Sequence, residues 1–593
     1  NQTTLHDQFD ADVSMSTDGL FVVVWTCFNN DTTPPNQFIR DWSVCARTYN
    51  ADGTDYNHAL AGVVREFRVN GETAGNQYAP AVSMDPNGHY VVTWSGASTT
   101  IDTFIPNPDT TGGGDEFIAA PRSLTAIYTR FIDPPVAESA GDATPVDVVI
   151  NGTTGNDVFE FLGGPTTGSW VVKLNGTLQT LPEYVATLRF DGKAGQDTVI
   201  VSGANANDTV ELWSDHGSFT SVDYNVVVSN VETVTATGGG GTDLALLHDS
   251  AGDDTFTGQA DGSQLTGTGF SITVQAFETV RALADGGGTD TAQLYDSAGD
   301  DTLTATPGLV KMSGSGYLLQ AEGYEYNKAY ANGTGTDVAD LYDSTAADTL
   351  NATPTYAKLY NDAGYWVMAT GFNAVRAYST AGGQDVANMF GSAADDTFTG
   401  APTYARFQGT GFYNRADYFE VVNANGQGGS DTASLYDSTG NDTFVAGPRY
   451  GQMFGPGFQV RADFFRWVYG YANNGGDDLA SLYDSSGNDN LLVTQNYAQL
   501  YGDAYFNRAF GFDRVEARAT GGGYDKADLH DSALNDYLEG EGDWIRLSNA
   551  DLGFAYWAAS FDQVTARSTN QGDTKKITDI DYVLATEGTW TDQ

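Results

Sequence analysis

The sequence predicts an all-β fold: tandem repeats of about 47 residues wound as a parallel β-solenoid, with a β-propeller as the alternative, behind a small antiparallel β domain. Three observations predict it. A turn aspartate recurs at Asp157, Asp208, Asp254, Asp301, Asp348, Asp396, Asp442, Asp489 and Asp536, at spacings of 51, 46, 47, 47, 48, 46, 47 and 47 residues. Between these turns lie short apolar alternations closed by Gly and Asp, with no helical period. The first 135 residues carry a different repeat, ADVSMSTDGLFVVVW (Ala11–Trp25) and PAVSMDPNGHYVVTW (Pro80–Trp94), offset by 69 residues.

The N-terminal elements are antiparallel hairpins, because alternating apolar residues flank Asp18-Gly19 and Asn87-Gly88. Each copy continues into a second strand, Val44–Gly53 and Ala126–Pro135. These lines resemble blades of bacterial secreted β-propellers. Two copies do not close a ring, so the region is a small sandwich of two sheets, or its partner blades lie on another chain or a removed segment. Cys27 and Cys45 lie in adjacent strand signals; they either pair in a disulfide or remain two buried thiols. The chain starts at Asn1 with neither Met nor a signal peptide, which reads as a processed product or an expression fragment.

The reading divides the chain into residues 1–135, a linker at 136–146, repeats over 147–572 and a C-terminal cap at 573–593. One repeat starts at Asp431: a strand through Ala433 and Leu435, the turn Asp437–Asp442, a strand at Thr443–Ala446, then Pro448–Phe454 and Phe458–Phe465 around Gly455-Pro456-Gly457. That last pair reads as an antiparallel hairpin, so the coil is not a simple tube. Each repeat is read as one coil, which stacks like on like at Ala292, Ala339, Ala387, Ala433, Ala480 and Ala527. The adjacent lysines Lys575-Lys576 in the degraded last unit suit a charged cap.

Composition narrows function. The 593 residues hold 77 Asp+Glu against 27 Lys+Arg, a formal net charge of −50, with 40% hydrophobic residues. Nucleic-acid binding needs clustered cations and is excluded. Anionic membranes repel such a surface, and no apolar run reaches the ~18 residues of a spanning helix. A secreted, extracellular or cell-surface protein remains, with cations among its carboxylates.

The candidate ligands are turn aspartates. They comprise the first-turn group Asp243, Asp290, Asp337, Asp385, Asp431, Asp478 and Asp525; the second-turn group Asp254, Asp301, Asp348, Asp396, Asp442, Asp489 and Asp536; and the residues opening the second turn, Asp249, Asp296, Asp343, Asp437, Asp484 and Asp531. Ca²⁺ takes six to eight oxygens from carboxylates and turn carbonyls, and stacked carboxylates about 5 Å apart repel unless a cation separates them. GGGTDTAQL (Gly286–Leu294) and AGDDTL (Ala298–Leu303) resemble the haemolysin-type calcium-binding nonapeptide repeat, although the two turns are eleven residues apart. The resemblance implies Ca²⁺ at the aspartates. The competing reading makes them hydrogen-bonded turn caps, and Gly391 in the place of Asp343 and Asp437 favours it.

Aromatic residues crowd the hairpin half of each repeat, as at Tyr404, Phe407, Tyr413 and Tyr418, and read either as core or as a platform for sugar rings or another subunit. Arg415, Arg461 and Arg508 recur nearby and suit ion pairs with Asp417 and Asp463. The six histidines have no zinc spacing, and no nucleophile elbow or phosphate loop occurs. The expectation is a non-enzymatic structural protein of a bacterial surface or matrix, ordered by Ca²⁺, whose partner is itself, in a head-to-tail homopolymer, with a surface polysaccharide as a further partner. An adhesin or carbohydrate-binding module is the alternative, and a polysaccharide-active enzyme the third.

Overall fold

A computed structural model describes residues 9–17, 19–30, 40–49, 51, 67–69, 77–84, 90–98, 124–132 and 146–593, apart from 164–169, 183–184 and 223. The linker expected at 136–146 lies outside the described residues up to 145, as do His6, His58 and His89. The chain divides into two compact units, Asn1–Pro145 and Val146–Gln593. No helix occurs among the described residues.

In the first unit, Phe9–Met15, Phe21–Asn30, Arg40–Tyr49 and Phe67–Arg68 form one antiparallel sheet, and Gln77–Met84, Tyr90–Ser98 and Leu124–Ile132 another. Alternation turns Val22, Val24, Val44 and Ala46 of the first sheet and Tyr90, Val92 and Trp94 of the second into one shared core. The repeat extends to a defect: both copies bulge at the same place, with Asp10 and Ala79 at φ 54°. Cross-sheet bonds tie the copies among the described residues, from Ala79 N–H to Thr26 Oγ1 (3.2 Å), from Val82 N–H to Asp12 Oδ2 (2.8 Å) and from Met84 N–H to Ser14 Oγ (2.9 Å). Cys27 and Cys45 are joined as a disulfide across neighbouring strands.

The second unit is a parallel β-solenoid of about 12 turns. Its strands fall into two sheets that sandwich one core. The front sheet begins with Val146–Asn151 and Val185–Asp191; the back sheet begins with Val158–Leu162 and Thr198–Ser202. Most strands have five residues and bury the second and fourth, as Thr291–Tyr295 buries Ala292 and Leu294. Nine phenylalanines, Phe159 and Phe444 among them, are under 2% exposed; burying a side chain of this kind stabilises by about 1.5–3 kcal/mol.

The winding differs from one repeat per coil. The repeat at Thr291–Tyr295 starts in the back sheet. It crosses to the front for the antiparallel meander Thr302–Thr306, Leu309–Gly314 and Tyr317–Glu322, and returns to the back at Tyr326–Tyr330. The next repeat starts on the front at Val338–Tyr342 and places its meander, Thr349–Ala352, Tyr356–Tyr360 and Trp366–Thr370, on the back. Three crossings per repeat is an odd number, so consecutive repeats exchange sheets. The expected alanine ladder is therefore overturned. Ala292 lies opposite Phe256 and Asn327, and Ala339 opposite Leu303 and Val375. Like does stack on like between the first and last strands of one repeat: Tyr295 on Tyr330, Tyr342 on Tyr378 and Tyr436 on Tyr471, each with ring centroids 4.9 Å apart.

Residues 573–593 continue both ladders. Thr574–Ile580 pairs with Tyr537–Gly542, and Val583–Glu587 with Gln563–Arg567. Among the described residues, Val583–Glu587 has no strand partner on its other side, and neither has Val146–Asn151 at the opposite end.

Candidate metal centres

The turn aspartates do not form rows of equivalent residues. Each first-turn aspartate reaches into the preceding repeat. Its Oδ1 accepts the backbone N–H of that repeat's second-turn aspartate: Asp254 to Asp290 (2.8 Å), Asp301 to Asp337 (2.9 Å), Asp348 to Asp385 (2.6 Å), Asp396 to Asp431 (2.7 Å), Asp442 to Asp478 (2.8 Å) and Asp489 to Asp525 (2.8 Å). The second-turn aspartate in turn accepts the N–H and Oγ–H of a serine four residues earlier, as Asp254 Oδ2 does from Ser250 at 2.9 and 2.8 Å. The expected stack of equivalent carboxylates is thus replaced by a hydrogen-bonded splice between repeats. Capping is the common task of these residues.

At four splices a third carboxylate joins. Asp249, Asp254 and Asp290 form one group; Asp296, Asp301 and Asp337 the next; Asp484, Asp489 and Asp525 a third; and Asp531, Asp536 and Asp573 a fourth. In each, one oxygen per residue lies within 4.8 Å of the others, close enough to share a metal ion. The first group is the least satisfied by protein. Asp249 Oδ1 accepts N–H from Asp285 (3.0 Å) and Gly286 (2.6 Å), yet Asp249 Oδ2 and Asp254 Oδ1 are buried without a partner. Gly267 makes that site: a Cβ there would stand 1.7 Å from Asp254 Oδ1. In the third group Asp489 Oδ1 is likewise buried and unpartnered. The other two are better served, by the Tyr317 hydroxyl on Asp301 (2.6 Å) and by Ser568 on Asp573 (2.7 Å). Three carboxylates with no nitrogen or sulfur donor form a hard, anionic set that suits a hard divalent cation.

The remaining candidates lie outside such groups. Asp343 binds the Ala381 N–H with both oxygens (3.1 and 2.9 Å), and Ser379 Oγ donates to Asp385 at 2.6 Å, while Asp348 takes Ser344 and Asn361. Asp437 is held by the Asn474 backbone and amide at 2.7 and 2.8 Å, apart from Asp442 and Asp478. Gly391 leaves Asp396 and Asp431 as a pair, and Gly203 does the same for Asp208 and Asp243. Sequence reasoning missed Asp573. Its signal was present: Gly572-Asp573 follows Asp536 by 37 residues, as Gly-Thr-Asp290 follows Asp254 by 36.

Burial dominates the electrostatics. It pushes Asp249, Asp431 and Asp478 up to about 6, against backbone N–H bonds that pull them down, and the neighbouring carboxylates push the same way. Asp243, Asp290, Asp337, Asp484, Asp525 and Asp573 are raised for the same leading reason. A group of three such carboxylates holds a proton or a cation more readily than three bare charges.

The recurrent arginines are placed in ion pairs where the sequence offered them, Arg415 with Asp417 (2.7 Å) and Arg461 with Asp463 (2.8 Å), while Arg508 bonds Gln499. The aromatic residues divide: Phe407, Phe412 and Phe419 fill the core, whereas Tyr418 and Phe464 are more than half exposed. No family model matches this chain, and no curated protein matches it.

Proposed function

We propose that the chain is a secreted structural protein of a bacterial surface or extracellular matrix, its repeats ordered by Ca²⁺ and its copies joined head to tail through β contacts into filaments or layers. One observation carries the reading. The splice between repeats at Asp249, Asp254 and Asp290 gathers three buried carboxylates and leaves two oxygens without partners. A cation there would tie one repeat to the next, which is a structural task. Asp249 would hold it from the turn of one repeat and Asp290 from the start of the next. The resemblance of Gly286–Leu294 to haemolysin-type repeats favours Ca²⁺, and the oxygen-only donor set agrees with it. Strand ladders that are open among the described residues, at Val146–Asn151 and Val583–Glu587, would supply edges for further pairing. Contacts of that kind do not close on themselves and so propagate.

Negative-stain electron microscopy tests this on the full chain, with Ca²⁺ and with excess chelator, beside a chain lacking residues 1–135. Filaments that soften or disperse in chelator, and are lost on truncation, are the expected result. Isolated particles indifferent to chelator would refute it.

A further inference from the structure

From Phe270–Gln275 to Phe554–Ala559, each meander closes on a residue of positive φ, and the residue after it is buried. That buried residue is phenylalanine in six repeats, at Phe277, Phe372, Phe419, Phe465, Phe512 and Phe561. Three positions further on, the same six repeats carry a buried valine, as at Val280 and Val375. One repeat departs at both places. It has Tyr324 and Asn327, which are 4% and 6% exposed.

The exchange puts two polar groups into an apolar core and leaves both wanting. The Tyr324 hydroxyl and Asn327 Oδ1 are buried without a partner among the described residues. Asn327 Nδ2 donates to the Tyr324 carbonyl (2.9 Å) and so holds the turn that carries the ring. An unpaired buried hydroxyl is costly, and phenylalanine fills the same place elsewhere without that cost.

The hydroxyl stands at the splice with the most unmet oxygens. Tyr324 is fixed to Asp290 through its neighbours: the Asp290 N–H donates to Glu325 Oε2 (2.7 Å), and the Tyr326 N–H donates to the Asp290 carbonyl (3.1 Å). Its ring centroid lies 6.2 Å from that of Phe256, two residues beyond Asp254. Burial raises the pKa of the hydroxyl, and the charges of Asp249, Asp290, Asp254 and Asp285 raise it further, so it is a neutral oxygen beside this group. The group it faces holds Asp249 Oδ2 and Asp254 Oδ1, both buried and unpartnered. The neighbouring group shows the other solution. There the Tyr317 hydroxyl donates to Asp301 Oδ1 (2.6 Å), whereas Phe270 takes the equivalent place beside Asp254 Oδ1. Phe270 thus withholds the donor that would cap Asp254, and Tyr324 brings an oxygen that caps nothing.

We infer that Tyr324 supplies a fourth oxygen ligand to a divalent cation held by Asp249, Asp254 and Asp290. The inference rests on the cation reading of that group, and it goes further by assigning a ligand from outside the aspartate turns. Ca²⁺ takes six to eight oxygens, so a neutral oxygen beside three carboxylates suits its shell.

The test is Ca²⁺ titration of the full chain, by calorimetry and by melting temperature, on Tyr324→Phe, Asp249→Asn, the double variant and Tyr317→Phe. Tyr324→Phe restores the residue that six other repeats use, so it folds. The expected result is one Ca²⁺ site at least tenfold weaker in Tyr324→Phe, with a melting temperature in chelator no lower than that of the wild type, because the variant sheds an unpaired hydroxyl. In the Asp249→Asn background Tyr324→Phe has no further effect on Ca²⁺ binding, since both residues serve one ion. Tyr317→Phe weakens no site, because it removes a donor and not a ligand. Unchanged Ca²⁺ affinity in Tyr324→Phe would overturn the inference and leave the cation reading standing. So would a lower melting temperature in chelator with no loss of affinity, the mark of a hydroxyl that only caps or holds water, and so would additive losses in the double variant. Absence of any Ca²⁺ binding by the wild-type chain would overturn the cation reading itself, and this inference with it.

Discussion

The splices at Asp254 and at Asp348 are built from the same words and end differently. Both read Asp-Ser-x-x-x-Asp, and both send the second-turn N–H to an aspartate of the next repeat. At the first, the opening residue Asp249 keeps a free oxygen and meets Asp254 and Asp290. At the second, Ser379 donates to Asp385, Asn361 donates to Asp348, and the equivalent carboxylates are not gathered. The difference teaches that the motif alone specifies a cap. A side-chain donor from the following turn does not by itself decide whether three carboxylates gather, because Asp531, Asp536 and Asp573 form a group although Ser568 donates to Asp573. The four groups sit at two consecutive splices near Asp254 and Asp301 and at two near Asp489 and Asp536. Of the splices between them, one has Ser379 on Asp385, one has Asn474 on Asp437 while Asp442 Oδ1 stays buried without a partner, and one lacks a carboxylate at Gly391.

The sharpest way to break this comparison is steric. Gly267→Ala drives a methyl onto Asp254 Oδ1, and the backbone or the carboxylate must shift. We expect a loss of about 3 kcal/mol, read by denaturant unfolding, whether or not Ca²⁺ is present. A smaller effect separates the two splices directly. Ca²⁺ at a hundredfold excess over its dissociation constant stabilises by about 2.7 kcal/mol per site when it binds only the folded chain. Asp249→Asn should remove that increment at its splice, and Asp343→Asn should leave the calcium response intact; calcium titrations of melting temperature check both, and equal responses would end the distinction.

A further expected effect is that of pH. Asp249, Asp431 and Asp478 rise from 3.8 to about 6 on folding, so between those values the folded chain binds more protons than the unfolded chain. Stability of the ion-free protein is then greatest at acid pH and falls as pH rises from about 4 to about 6. Ca²⁺ should restore it above pH 6, at the grouped splices only. Melting curves from pH 4 to 7 in chelator check the sign; a monotonic rise with pH would contradict the burial of these groups.

Much of this molecule was legible in its residues. The spacing of the aspartates gave the repeat, and Gly455-Pro456-Gly457 marked the antiparallel pair Tyr450–Gly455 and Phe458–Asp463. The exchange of sheets was hidden, because a period counts residues per repeat and says nothing about whether the crossings in it are odd or even. For the same reason the partners of each aspartate could not be read: Asp290 meets Asp249 and Asp254, not a second copy of itself. Ser379 and Asn474 were unremarkable as letters and became decisive only when the splice placed them beside Asp385 and Asp437. Tyr324 was visible as an aromatic, but its unpartnered hydroxyl was not.

The alternation of sheets also limits how such a gene can change length. Because successive repeats begin on opposite sheets, duplicating or deleting a single repeat would carry every downstream side chain from front to back. Arg376 and Tyr413 would leave the face they now share with whatever precedes them, and every later surface would be turned over. Only gains and losses in pairs preserve the faces, so the heritable unit of this fold is two repeats long.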